Sequence, residues 1–187
     1  MPLYYSLAEY ARYRERVGAE TYIDVTRRTD PARVPAVWEH LREVVEAYGA
    51  PWVVQLWTKD PIGTVRLGGD LLRRLVDAGT TLTAQLTVTG LAGSVWEPLV
   101  PPNGLGAASE LAALLGGWQH ITWRYDPIIP TVHTAERFRA LAEHAADLGI
   151  RRGVVNFIAP PGRYRRVDRR LSSLLPGWEQ GMPGYDA

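Results

Sequence analysis

The residues best suited to chemistry in this 187-residue chain are charged side chains that recur where an apolar-polar alternation runs into proline. In His120-Ile-Thr-Trp-Arg-Tyr-Asp-Pro-Ile-Ile-Pro130, Ile121, Trp123 and Tyr125 alternate with Thr122, Arg124 and Asp126. A two-residue period of this kind describes a strand with one apolar and one polar face. Asp126-Pro127 and Ile129-Pro130 are expected to end the ladder, which places Arg124 and Asp126 at a carboxyl-terminal strand end. Thr21-Tyr-Ile-Asp-Val-Thr-Arg-Arg-Thr-Asp-Pro31 repeats the design with Asp24, Arg28 and Asp30, and Trp52-Val-Val-Gln-Leu-Trp-Thr-Lys-Asp-Pro61 with Gln55, Trp57, Lys59 and Asp60. Arginine forks bind phosphate or carboxylate through paired N–H donors and lysine adds a point charge, so the chemistry these motifs fit is recognition of an anion.

Each residue also has a plainer use. The cations and carboxylates could form an ion-pair network that ties strand ends together. Lys59 could form a Schiff base if nearby guanidinium groups depress its pKa, or simply contact a ligand anion. Asp24 could act as a base or hold Arg28 in place. Trp57 and Trp123 could pack, or stack on a flat ligand. His40, His133 and His144 have no metal-binding spacing, and His133 alone falls near the rim, as an exposed structural histidine. The candidate catalytic residues are Lys59, Asp126 and Asp24. The candidate substrate-binding residues are Arg27, Arg28, Asp30, Gln55, Trp57, Gln85, Arg124 and Asn156.

Strands must present these side chains, and the alternation says which way they face. One face carries Asp24, Thr26, Arg28, Gln55, Trp57, Lys59, Thr83, Gln85, Thr87 and Thr89; the other carries Ile23, Val25, Val54, Leu56, Leu82, Leu86 and Val88. Between the strands lie helical stripes, at Val34–Tyr48, at about 69–78, at Ser109–Leu115 and through Phe138, Leu141, Ala142, Ala145 and Leu148. Strands alternating with helices imply parallel pairing with right-handed crossovers. A doubly wound sheet buries both faces, whereas every strand here keeps one polar face. The expected class is therefore α/β, a parallel β/α barrel or an incomplete TIM-like barrel of five or six strands, with its site at the carboxyl ends of the strands. Residues 1–20 are expected to form a helix packed on the barrel, opened by the capping box Ser6-Leu-Ala-Glu9. Residues 21–160 are expected to form the barrel and residues 161–187 a basic helix followed by a tail over 176–187. Asp60-Pro-Ile-Gly63 reads as a loop, and the long Gly/Pro-rich stretch 90–107 as a lid or binding loop.

With 46% hydrophobic residues the chain can bury one good core, and a net charge of +1 gives no global sign of a nucleic-acid or membrane protein. Charge is unevenly placed: residues 151–187 hold seven arginines against Asp168, Glu179 and Asp186. Arg163, Arg165, Arg166, Arg169 and Arg170 are thus a candidate docking surface for a nucleic acid or a protein partner, expected to be exposed and dispensable for the barrel. No stretch reaches a membrane span and no signal-peptide core is seen, so the expected location is cytoplasmic. The absence of cysteine removes disulfides, thiolate nucleophiles and cysteine-bound metal or iron–sulfur centres.

The ordered motifs Arg27-Arg-Thr-Asp-Pro31, Trp57-Thr-Lys-Asp-Pro61 and Trp123-Arg-Tyr-Asp-Pro-Ile128, with Glu136-Arg-Phe138, resemble the bacterial family called domain of unknown function 1848. The resemblance spans about residues 21–160. That family is similar to radical S-adenosylmethionine barrels, which implies an incomplete parallel β/α barrel. Its members usually end in a cysteine-rich segment resembling an iron–sulfur site. This chain departs from that pattern: it supplies no iron–sulfur cluster, so either the barrel stands alone or a partner supplies the rest. Two functions follow as expectations. One is an anion-binding barrel of enzymatic descent, acting on a phosphate, nucleotide or carboxylate. The other is a non-catalytic module that docks a nucleic acid or partner protein through its arginine-rich end.

Overall fold

Parallel strands separated by single helices must all cross over with the same hand, so strands laid down in sequence order put their helices on one side. The computed structural model, which describes residues 6–26 and 29–178, has this arrangement. Its elements are α1 (Leu7–Val17), β1 (Tyr22–Val25), α2 (Pro35–Tyr48), β2 (Val53–Thr58), α3 (Pro61–Asp77), β3 (Thr81–Thr87), α4 (Ser109–Leu115), β4 (Ile121–Ile128), α5 (Ala135–Asp147), β5 (Arg152–Phe157) and α6 (Arg165–Leu174). The sheet is all-parallel in the order β1-β2-β3-β4-β5, an incomplete TIM-like β/α barrel.

The face assignment follows from burial. Ile23, Val25, Val54, Leu56, Leu82, Ala84, Leu86, Ile121, Trp123 and Tyr125 lie in one core with residues of α1 to α5, including Tyr10, Trp38, Leu41, Leu72, Leu111 and Ala145. Each fully buried aliphatic side chain contributes about 1.5–3 kcal/mol, so this layer is the main stabilising element. The capping box of α1 forms as expected, the Ser6 hydroxyl accepting from the Glu9 amide while the Glu9 carboxylate accepts from the Ser6 amide. α1 docks through Tyr10, whose ring lies 5.5 Å from that of Tyr48.

Three expectations need correction. β4 does not stop at Asp126 but continues through Pro127 to Ile128, where the Ile158 amide donates to the Ile128 carbonyl at 2.9 Å. A register shift between Tyr125 and Ile128 absorbs the proline, because a bulge spares the missing N–H. Residues 61–68 are helix rather than loop. Asp60 caps α3 by accepting from the Gly63 amide at 2.9 Å, and Pro61 fits the first turn, where no donor is needed. The glycines that suggested a loop serve packing: a Cβ on Gly68 would lie 2.3 Å from the Trp38 ring, and one on Gly63 2.8 Å from the Ala32 Cβ. Finally, residues 176–178 are not tail, since Trp178 is buried and donates through its indole to Asp168 at 3.1 Å. The rest of the expected tail, 179–187, lies outside the described residues.

α6 does not cover the sheet as the other helices do. Leu171 joins Leu91, Ile129, Ile158 and Trp178 in a second, smaller cluster at the carboxyl end of the strands. The helix-side residues of β5 consequently keep solvent contact, with Val155 52% and Phe157 60% exposed. No helix among the described residues is long and apolar enough to cross a membrane.

Candidate functional site

The polar ends of β1, β2, β3 and β4 border a cleft of about 320 Å3 whose wall includes Thr26, Asp30, Trp57, Lys59, Thr87, Arg124 and Asp126. Parallel register sets up this meeting. Trp57 pairs with Gln85 and Gln85 with Thr122, so Arg124, two residues on, lies one row nearer the strand ends beside Thr87.

Arg124 is the most constrained of these residues. Its guanidinium carbon lies 4.6 Å from the centroid of the Trp57 ring, Nη1 donates to Gln85 at 3.4 Å, and Nη2 donates to Asp126. Asp126 is held in turn by Asn156, whose amide donates at 3.1 Å. The Arg124 side chain is only 13% exposed. Two of its five N–H donors are spoken for by these contacts, which hold the planar fork in one orientation. Trp57 is itself fixed from behind by a hydrogen bond from its indole to Asp24, which is 4% exposed.

Lys59 forms an ion pair with Glu97, and the other Glu97 oxygen accepts from the Thr89 hydroxyl at 2.6 Å. Glu97 belongs to the long loop after β3. The loop is thus drawn onto the rim by Lys59, by Arg33, which donates to the Leu99 carbonyl, and by Arg170, which donates to the carbonyls of Val95 at 2.9 Å and Trp96 at 3.2 Å.

Asp30 lines the cleft, but its oxygens already accept from the Ala32 amide at 3.0 Å, the Thr58 hydroxyl at 2.9 Å and the Lys59 amide at 2.6 Å. It therefore ties the end of β1 to the end of β2. Asp60 is committed to capping α3. Gln55 sits one row below, between Asp24 and Thr83, and does not line the cleft. Gln85 and Asn156 reach the site through Arg124 and Asp126. Arg27 and Arg28 lie outside the described residues. His133 is half-buried rather than exposed, and its Nδ1 accepts from the Ile129 amide at 2.8 Å. Burial pushes its pKa down.

Thr26, which lines the cleft, and Glu97, which pairs with Lys59 beside it, were not among the sequence candidates. Thr26 has a backbone φ of 59°, in the left-handed region where a β-branched residue is strained by about 1–3 kcal/mol. Its hydroxyl is buried with no hydrogen-bond partner among the described residues. Glu97 did leave a signal, being the only charged residue between Asp77 and Glu110. Among the described residues no three His, Asp or Glu side chains group as a metal set, and a chain without cysteine offers no thiolate to an iron–sulfur cluster.

No protein-family model, curated protein or solved structure matches the chain.

Proposed function

We propose that the protein binds a small anionic molecule, a phosphate, nucleotide or carboxylate, in the cleft at the carboxyl ends of its strands. The observation that carries this reading is the immobilised Arg124, stacked on Trp57, restrained by Gln85 and Asp126, and facing a cleft with donors to spare. A guanidinium used only for folding needs a carboxylate; it does not need an aromatic platform, a second carbonyl and a supporting amide beside an open cleft. Such a supporting shell is what holds a binding group to the geometry its ligand demands. Lys59 is the second cation, shared between the ligand and Glu97, and the Thr26 and Thr87 hydroxyls complete the polar wall. In the catalytic form of this reading, Lys59 and Asp126 are the groups lining the cleft that would exchange a proton with a ligand, while Asp24 orients Trp57 from behind. A radical S-adenosylmethionine reaction draws no support from residues of this chain.

The test is Arg124→Met, titrated with inorganic phosphate and with adenosine 5′-monophosphate, with thermal melting alongside. A charged hydrogen bond lost from a desolvated site costs roughly 2–5 kcal/mol, so affinity should fall at least about thirtyfold. Melting should fall by only a few degrees. Unchanged affinity with a large loss of stability would make the cluster a structural ion network.

The second reading rests on Arg163, Arg165, Arg166 and Arg169, all exposed on or beside α6. For docking of single-stranded nucleic acid there, the logarithm of the affinity should fall linearly with the logarithm of salt concentration, through counterion release, and binding should disappear when these four arginines are changed to glutamine.

A further inference from the structure

Beside the rim cleft lies a larger one, of about 430 Å3, and Lys59 and Pro127 belong to the walls of both. Its character is different. Leu91 and Trp96 come from the loop after β3, Ile129 and Ile158 from the ends of β4 and β5, and Val167 and Leu171 from α6. Leu91, Ile129, Ile158 and Leu171 are also members of the small buried cluster, so the apolar wall is backed by packed side chains. Lys59 and Glu97, already paired with each other, supply charge on the side shared with the rim; Arg166 and Arg170 supply it on the α6 side. Apolar cavities of roughly 300–1,000 Å3 with a few polar groups at one end are typical small-molecule sites.

We propose that the ligand of the rim cleft is amphipathic, its anionic head on Arg124 and Lys59 and its apolar body running past Lys59 and Pro127 into the second cleft. This rests on the anion-binding reading of the rim and adds the class of molecule. The continuity of the two walls at the cation selects this occupant over a second, unrelated ligand. A purely polar anion would leave the larger apolar cleft without a use, and a purely apolar one would strand the locked guanidinium. Each methylene buried there should tighten binding about fourfold, the equivalent of ~0.8 kcal/mol.

The experiment compares methyl phosphate with octyl phosphate, the latter kept below its micelle-forming concentration, and with octan-1-ol as the uncharged probe. Calorimetric titrations use the full chain, Arg124→Met and Val167→Trp. Val167 is 39% exposed on α6, so a tryptophan there fills the cleft without entering a packed core, and a melting curve checks the fold. Octyl phosphate should bind at least about a hundredfold more tightly than methyl phosphate. Val167→Trp should erase that increment and leave methyl phosphate unchanged, while Arg124→Met should weaken both phosphates and leave octan-1-ol weak throughout. Equal affinity for the two phosphates would overturn the inference and leave the anion site standing. An increment untouched by Val167→Trp would also overturn it. If neither phosphate binds, or if both bind unaffected by Arg124→Met, the reading of the rim fails and the inference fails with it.

Discussion

The two hydrophobic clusters of this molecule are built from different kinds of sequence. The main core takes alternate residues of β1 to β4 and regular stripes of the helices, so neighbours in space are near neighbours in pattern. The small cluster gathers Leu91, Ile129, Ile158, Leu171 and Trp178 from loops, strand ends and a terminal helix. It is also the part that walls the apolar cleft. Regions that rest on few buried contacts open at lower free energy than the core, and binding loops are commonly drawn from them. The structure thus pairs a polar rim at the ends of strands set in the main core with an apolar wall built on the smaller cluster.

The sharpest test of this contrast sets Leu72→Ala against Leu171→Ala. Leu72 is fully buried between α3 and the sheet, and its loss should cost about 2–5 kcal/mol of global stability. Leu171→Ala should act locally, raising hydrogen exchange in α6 and the loop after β3 while β2 and β3 keep their protection. Equal loss of protection in both regions would make the molecule one cooperative unit and erase the distinction.

A smaller effect is expected at the seam. Glu97→Gln removes the partner of Lys59 and with it one of the ties that draw the loop onto the rim. Partly exposed ion pairs contribute about 0.2–1 kcal/mol, so melting should barely move. Phosphate binding should strengthen a few-fold, because the ligand no longer competes with a carboxylate. Weaker binding in titrations of this variant would show that Glu97 helps to build the site.

The smallest effect concerns pH. His133 faces the Ile129 amide, the Tyr125 ring, Thr89, and the charges of Arg137 and Glu97, and burial is the main cause of its lowered pKa. A base that is harder to protonate in the folded state stabilises fully above its unfolded pKa of about 6.5. As pH falls below that value the unfolded chain takes up the proton first, so stability declines until the folded pKa is passed. His133→Asn, which keeps an acceptor for the Ile129 amide, should flatten this slope in melts between about pH 6.5 and 5. A slope that persists would belong to a carboxylate.

The parts legible in sequence are those governed by local pattern. Alternation put Asp24, Gln55, Trp57, Gln85 and Arg124 on one face and the aliphatic residues under the helices, and the parallel order followed from the crossover rule. What escaped depended on contacts between distant residues. Gly63 and Gly68 look like chain breakers until Ala32 and Trp38 are seen to need the space. Trp178 sits among glycines and prolines, and only its bond to Asp168 and its packing on Leu171 place it in a cluster. Pro127 looked terminal because a bulge is a property of two strands, and the pairing of Glu97 with Lys59 spans 38 residues.

The chain has a single lysine among twenty arginines, and it stands in the wall common to both clefts. Guanidinium groups are inert to the mild reagents that modify amines. Reductive methylation with isotopically labelled formaldehyde should therefore place one side-chain resonance, that of Lys59, at the junction of the two chambers. The molecule thus offers one side-chain amine on which a spectroscopic reporter can be set, at the point where the two clefts meet.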